Sequence, residues 1–214
     1  MTHEKYFATY ARFETKSKKD AAVLLGADCI VGDRFSIEFR ADNGKTTAWV
    51  VNKFGADAGF LDANVSHKLN VLSVKGFLLC AVLSFVAYSE NPDPGQYWGE
   101  FAVFAFEKTN EAAFKKFVAS CAKTISDGIR PKINLEAGAV EQIINSGGKW
   151  KPKQRVPFPK LGKHSAMIKK SCSFLDSMVK KGRQKNVGCY IVSWAFLLFM
   201  VALIIFGLKS CGVF

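Results

Sequence analysis

Three histidines (His3, His67 and His164) and six cysteines (Cys29, Cys80, Cys121, Cys172, Cys189 and Cys211) are the residues in this 214-residue chain best suited to nucleophilic, redox or metal chemistry. Their spacing argues against it. No two cysteines form a C-x-x-C pair, and a zinc site is built from closely spaced ligand pairs. No apolar leader opens the chain, so a reducing, cytoplasmic setting with free thiols is expected. Asp57 and Asp62 of "GADAGFLD" flank a turn and suit a cation, although Asp62 serves equally as a helix cap. The glycines of that stretch match neither a P-loop nor a dinucleotide fingerprint. Glu100 lies in a strong strand pattern beside Trp98 and reads as buried or paired, with no second acid placed near it for acid–base work. The expectation is a protein that is not an enzyme, with no catalytic residues, no cofactor and no metal.

The charge is more informative. Residues 1–148 carry 17 Lys/Arg and 17 Asp/Glu, while residues 149–185 carry 12 Lys/Arg and the single acid Asp176. The formal charge of +12 is thus confined to one segment and Lys209. A basic protein suggests nucleic acid. A basic segment directly before an apolar run points instead to an anionic membrane surface.

That run is "CYIVSWAFLLFMVALIIFGL", Cys189 to Leu208, without a charge. Twenty helical residues at about 1.5 Å each reach about 30 Å, the thickness of the hydrocarbon core. Tyr190 and Trp194 lie near its start, where headgroup-level aromatics are expected. Lys169, Lys170, Lys180, Lys181, Arg183 and Lys185 precede it, against Lys209 after it. This bias predicts a single-pass, tail-anchored membrane protein with its N-terminal head in the cytoplasm.

Between head and span lie two basic pieces. Residues 146–163 are rich in Pro, Gly and Lys and read as an irregular linker. Lys149, Trp150, Lys151, Lys153, Arg155 and Phe158 interleave cations with aromatics, a pattern that suits lipid contact or single-stranded nucleic acid as well as a solvated linker. In residues 164–181, Ile168, Cys172, Leu175 and Val179 recur at helical spacing, predicting a basic amphipathic helix. It either packs on the head or lies in the membrane interface.

The head, residues 1–145, reads as α+β: a small antiparallel β-barrel or sheet with packed helices. Phe35, Ile37 and Phe39 alternate with polar residues, and "DNG" marks a hairpin turn before a return strand to Val51. "GADAGFLD" reads as a turn into a helix, "ANVSHKLNVLS". "GFLLCAVLSFVAYS" and "YWGEFAVFAFEK" read as two long antiparallel strands, the second with Phe101, Val103 and Ala105 on one face and Ala102, Phe104 and Phe106 on the other; a re-entrant membrane segment is the other reading of the first. A helix capped by Asn110 and stopped by Gly128, and a shorter one starting at Asn134, follow. "KYFATYARFE" suits a strand and "KKDAAVLLGADC" a short helix.

The stretch Ala48-Trp49-Val50-Val51, then Gly55, Gly59-Phe60-Leu61 and Leu69, resembles the HIRAN domain family, in which an A-V-x-V strand leads through a glycine to G-Y-L and a helix with a late leucine. The resemblance covers residues 7–106 at most, and the N-P-Y-D stretch before that family's A-V strand is absent. It implies a small β-barrel and, because HIRAN domains are associated with DNA ends in repair proteins, a membrane-tethered nucleic-acid-binding module as the alternative function. It carries over no binding residues. The leading expectation is a membrane-anchored binding or adaptor module whose head recognises an unidentified protein or small ligand.

Overall fold

A computed structural model describes residues 5–16, 18–42, 44–91, 93, 95–183, 192, 194–201 and 203. The chain divides into two compact units, Met1–Cys172 and Ser173–Phe214.

The first unit is α+β and centres on a closed antiparallel barrel. Its strands are β1 (Tyr6–Glu14), β2 (Arg34–Asp42), β3 (Lys45–Val51), β4 (Asp57–Leu61), β5 (Phe77–Ser89) and β6 (Gln96–Glu107), in the order β2-β3-β4-β1-β6-β5. Pairing of Arg34 and Phe35 with Val82 and Ala81 joins β2 back to β5 and closes the ring. A seventh strand, β7 (Ser165–Lys169), adds to the far half of β5. Closure leaves no free edge among the six strands, the feature of a barrel that blocks edge-to-edge association.

Strand alternation divides the apolar residues into layers. Phe101, Val103 and Ala105 of β6 point inward with Phe13, Phe35, Val50 and Leu61. Ala102, Phe104 and Phe106 point outward onto α3 (Glu111–Ser126), meeting Phe114, Phe117 and Val118. On β5 the alternation shifts once. Leu79, Ala81 and Leu83 belong to the interior, a bulge follows between Leu83 and Phe85, and Val86 then takes the inward position. The extra residue turns Phe85 and Ala87 to the exterior. Gly99 pairs with Val86 just past this bulge, and a Cβ there would come within 2.8 Å of the Phe13 ring and closer still to the Phe85 carbonyl.

Two further helices pack into the interior cluster: α1 (Lys18–Leu25) through Leu24, and α2 (Ala63–Val74) through Leu69 and Leu72. Asp62 caps α2, its Oδ1 accepting from the Asn64 and Val65 amides at 2.9 and 3.0 Å. The hairpin expected at "DNG" is present, with Asp42 pairing with Lys45 and Gly44 at φ 74°.

Several expectations are corrected. "GADAGFLD" is mostly strand β4 rather than a turn into a helix. Gly59 obscures that strand in the sequence, yet it is required because β1 passes so close that a Cβ would meet the Glu14 carbonyl at 2.7 Å. The short helix α4 (Ala137–Asn145) starts three residues after Asn134. Ile133 is buried and its carbonyl accepts from Tyr6 Oη, so this stretch is committed to the core before the helix can begin. The compact unit also runs to Cys172 rather than 145, because residues 146–163 are irregular but packed on the barrel. The helix expected over 164–181 is strand β7 followed by a helix, α5 (Phe174–Arg183). Pairing with β5 outweighs helical periodicity for Ser165–Lys169.

In the second unit, α5 opens with a reciprocal cap. The Ser173 amide donates to Asp176 Oδ2 at 3.0 Å and the Asp176 amide to Ser173 Oγ at 3.1 Å. Residues 192, 194–201 and 203 are helical. Among the described residues no helix is long and apolar enough to cross a membrane, and the remainder of the span expected at 189–208 lies outside them.

Candidate functional site

Pairing around the barrel aligns one row of outward side chains across seven strands. Glu38 faces Trp49, Trp49 faces Phe60, Phe60 faces Glu14, Glu14 faces Trp98, Trp98 faces Ala87 and Ala87 faces Met167. Its two ends have different surroundings. At the β5–β6 end, Phe158, Leu161 and Met167 cover Phe85, Ala87 and Trp98. Trp98 Nε1 donates to Ser89 Oγ at 2.8 Å, which satisfies the indole at a buried site.

The strap of residues 146–163 that does this covering is held by Arg130, a side chain only 3% exposed. Its Nη1 donates to the Pro157 carbonyl at 2.7 Å and its Nη2 to Glu100. The guanidinium lies 4.1 Å from the Tyr10 ring centroid and 5.4 Å from that of Phe158. Glu100 is therefore paired. Burial raises its carboxyl above the ordinary range, and the Arg130 charge opposes that rise. Tyr10 Oη donates to the Pro131 carbonyl at 2.9 Å, and the amides of Lys132 and Val156 bond across to Gln154 and Arg130. This cluster is a clamp in which Arg130 Nη1 and Nη2 and Tyr10 Oη are engaged, while Arg130 Nε is a buried donor with no partner among the described residues.

At the β2–β3–β4 end the exterior aromatics are only half covered. Trp49 and Phe60 lie 5.5 Å apart by ring centroid. Arg40 and Lys16 stand over the Trp49 ring at 4.9 and 5.2 Å. Arg40 makes a two-pronged contact to Asp57, at 2.7 and 2.8 Å, and this hydrogen-bonded pair holds the Asp57 carboxyl below its usual range. Lys16, Arg40, Thr47, Trp49, Asp57 and Phe60 line an open depression of about 530 Å³. Half-buried aromatics bordered by oriented cations make a stacking surface for a planar or anionic group. Asp57, which the sequence suggested for a cation, is occupied by Arg40.

The residues expected to contact lipid or nucleic acid are distributed over the strap. Lys149, Lys151, Lys153 and Arg155 are exposed. Trp150 is half-buried and packs against Phe117 at 6.3 Å, and Phe158 packs against Phe85 at 5.8 Å. Of the residues expected at the membrane interface, Lys169 is part-buried in the head, its Nζ donating to the Gly26 and Cys29 carbonyls at 2.9 and 3.0 Å. Lys170 is exposed. Lys180, Lys181 and Arg183 are on α5, and Trp194 is helical and about half exposed. Lys185 and Tyr190 lie outside the described residues.

Cys29, Cys80 and Cys121 are free thiols. Burial pushes Cys29 and Cys121 up to about 12 and Cys80 to about 11, which disfavours the nucleophilic thiolate. Among the described residues no three His, Cys, Asp or Glu side chains converge as a metal site would require.

No family model, curated protein or solved structure matches the chain.

The sequence reading passed over the Trp49 surface. One signal was available: in "KTTAWVV" the tryptophan is out of phase with the inward Ala48 and Val50, so strand alternation alone places a large aromatic outside.

Proposed function

We propose that the protein is a single-pass membrane protein, anchored through residues 189–208, whose cytoplasmic barrel head is a binding module. The observation that carries the reading is the charge partition: twenty uncharged, mostly apolar residues preceded by a segment with 12 Lys/Arg and one acid, on a head whose first 148 residues are neutral. Cations immediately before a span favour the cytoplasmic side and an anionic leaflet. The half-covered Trp49–Phe60 surface supports binding rather than catalysis, since it offers stacking and charge without a paired acid and base. Deleting residues 189–214 is expected to move the protein from the membrane pellet to the soluble fraction. Retention of the truncated protein on membranes in high salt would remove the anchor from this reading.

A second reading, in which the head binds single-stranded nucleic acid at the membrane, is favoured by the cations over Trp49. It requires salt-dependent binding of an oligonucleotide that Trp49→Ala weakens. Binding that is absent, or indifferent to that substitution, excludes it.

A further inference from the structure

A second concave surface lies beside the α3-facing cluster of the head, between α4 and the strap. It encloses about 460 Å³, within the range of about 300–1,000 Å³ common for ligand sites. Leu135 and Ala139 line it from the α4 side, and Trp150 and Pro152 from the strap. At Gly138 a Cβ would meet nothing within 4 Å, so the space in front of the helix is open.

The walls are preformed. Val140 and Ile143 bury the other face of α4. Trp150 is braced by Phe117, and its amide donates to Ser146 Oγ at 2.9 Å. The bond from the Lys132 amide to the Gln154 carbonyl and the bridge between Pro131 and Arg155 tie the two sides together. The rim is cationic. Lys132 and Lys153 line the groove and are exposed, and Lys149, Lys151 and Arg155 are exposed on the same strap. Glu136 is the one acid among the described lining residues, and the next on the helix, Glu141, is engaged by Lys5 at 2.8 Å.

We propose that this groove docks an acidic peptide segment that inserts one aromatic or large aliphatic side chain between Ala139 and Trp150. The proposal rests on reading the head as a binding module and is independent of the anchor. The apolar walls supply the seat for that side chain, and the rim lysines set the sign of the flanking residues and steer the encounter. A flat bilayer would meet the rim lysines without reaching Leu135 and Ala139. A nucleic-acid strand would find a single aromatic wall where successive bases need several.

The test uses the full chain in a neutral detergent and a dye-labelled peptide of sequence EDEEFEDEG, followed by fluorescence anisotropy over a salt series. Saturable binding is expected, weaker as salt rises. The double reversal Lys132→Glu/Lys153→Glu is expected to weaken it about tenfold or more. Gly138→Trp, which directs an indole into the groove from a position where a Cβ meets nothing within 4 Å, and a peptide with serine in place of its phenylalanine are each expected to do the same. Variant thermal unfolding is measured in parallel, so that a misfolded variant is recognised, and the serine peptide needs no protein variant. The proposal fails if no saturable binding occurs, or if binding is indifferent to both Gly138→Trp and the loss of the phenyl ring. It also fails if the charge reversal abolishes binding to an oligonucleotide or to anionic vesicles while the peptide does not bind. The membrane fractionation of the 189–214 deletion is read separately, so either idea can fail alone.

Discussion

At the scale of single residues, one buried ion pair and one glycine limit what the head tolerates. Arg130 and Glu100 form a pair whose members are 3% and 17% exposed by side chain. Replacing one member of a buried pair strands the other charge, so Arg130→Met is expected to destabilise the head by about 3–5 kcal/mol in urea unfolding. Glu100 also carries a pH signature. Its folded carboxyl is raised above the ordinary 4.5, mainly by burial. A raised folded value means that the folded state holds the proton more tightly. The contribution of this group is then fully present below the ordinary range and is lost as pH rises through the raised value. The stability of wild type relative to Glu100→Gln is therefore expected to fall as pH rises from the ordinary 4.5 through the raised folded value. A difference that is flat, or that grows with pH, would contradict the raised carboxyl. The glycine is Gly99. With the Phe13 ring and the Phe85 carbonyl against it, Gly99→Ala is expected to cost about 1–3 kcal/mol by thermal unfolding.

At the scale of elements, the strap is the unusual part. It has little regular structure, yet it closes the β5–β6 side of the barrel through two rings and one guanidinium. Its order depends on those contacts, since no continuous ladder of backbone bonds supports it. Phe158→Ala is expected to lower stability by about 1–3 kcal/mol. It should also open Lys160 and Lys163 to limited trypsin digestion faster than the barrel strands. Equal cleavage rates in variant and wild type would show that the strap is not held by this ring. Element β7 depends on the same region, because Ser165 Oγ and Ser89 Oγ lie 2.7 Å apart beside the Trp98 indole.

At the scale of the whole molecule, the proposed function places the barrel head at a membrane through the apolar run 189–208 and the basic residues that precede it. In that proposal the orientation rests on the lysines and arginine of residues 169–185, which precede the apolar run. In sealed microsomes, externally added protease is expected to digest the head. A glycosylation acceptor placed after Lys209 is expected to be modified. A protected head with an unmodified acceptor would reverse the assignment.

Much of the head was legible in the sequence because local periodicity and global packing agree there. The two faces of β6, the "DNG" hairpin, the Asp62 cap and the face of α3 are set by side chains that repeat with the period of their own element. Strand β4 was not legible: its glycine is required by a neighbouring strand, and no local pattern encodes that neighbour. The same holds for the strap and β7. Residues 146–163 read as a linker because proline and glycine exclude regular structure, and only the fold supplies the Phe85 and Trp98 surface on which they become ordered. Both concave surfaces belong to this class, since Trp49 meets Phe60, and Trp150 faces α4, across distances in sequence that no spacing rule spans. What the sequence determined by itself is what composition and short-range period can encode: the charge partition, the apolar run, the class of fold and the faces of its longest elements. Which polar groups are paired and which aromatics stay half covered was decided by tertiary structure, because pairing and burial are properties of neighbours brought together from distant parts of the chain.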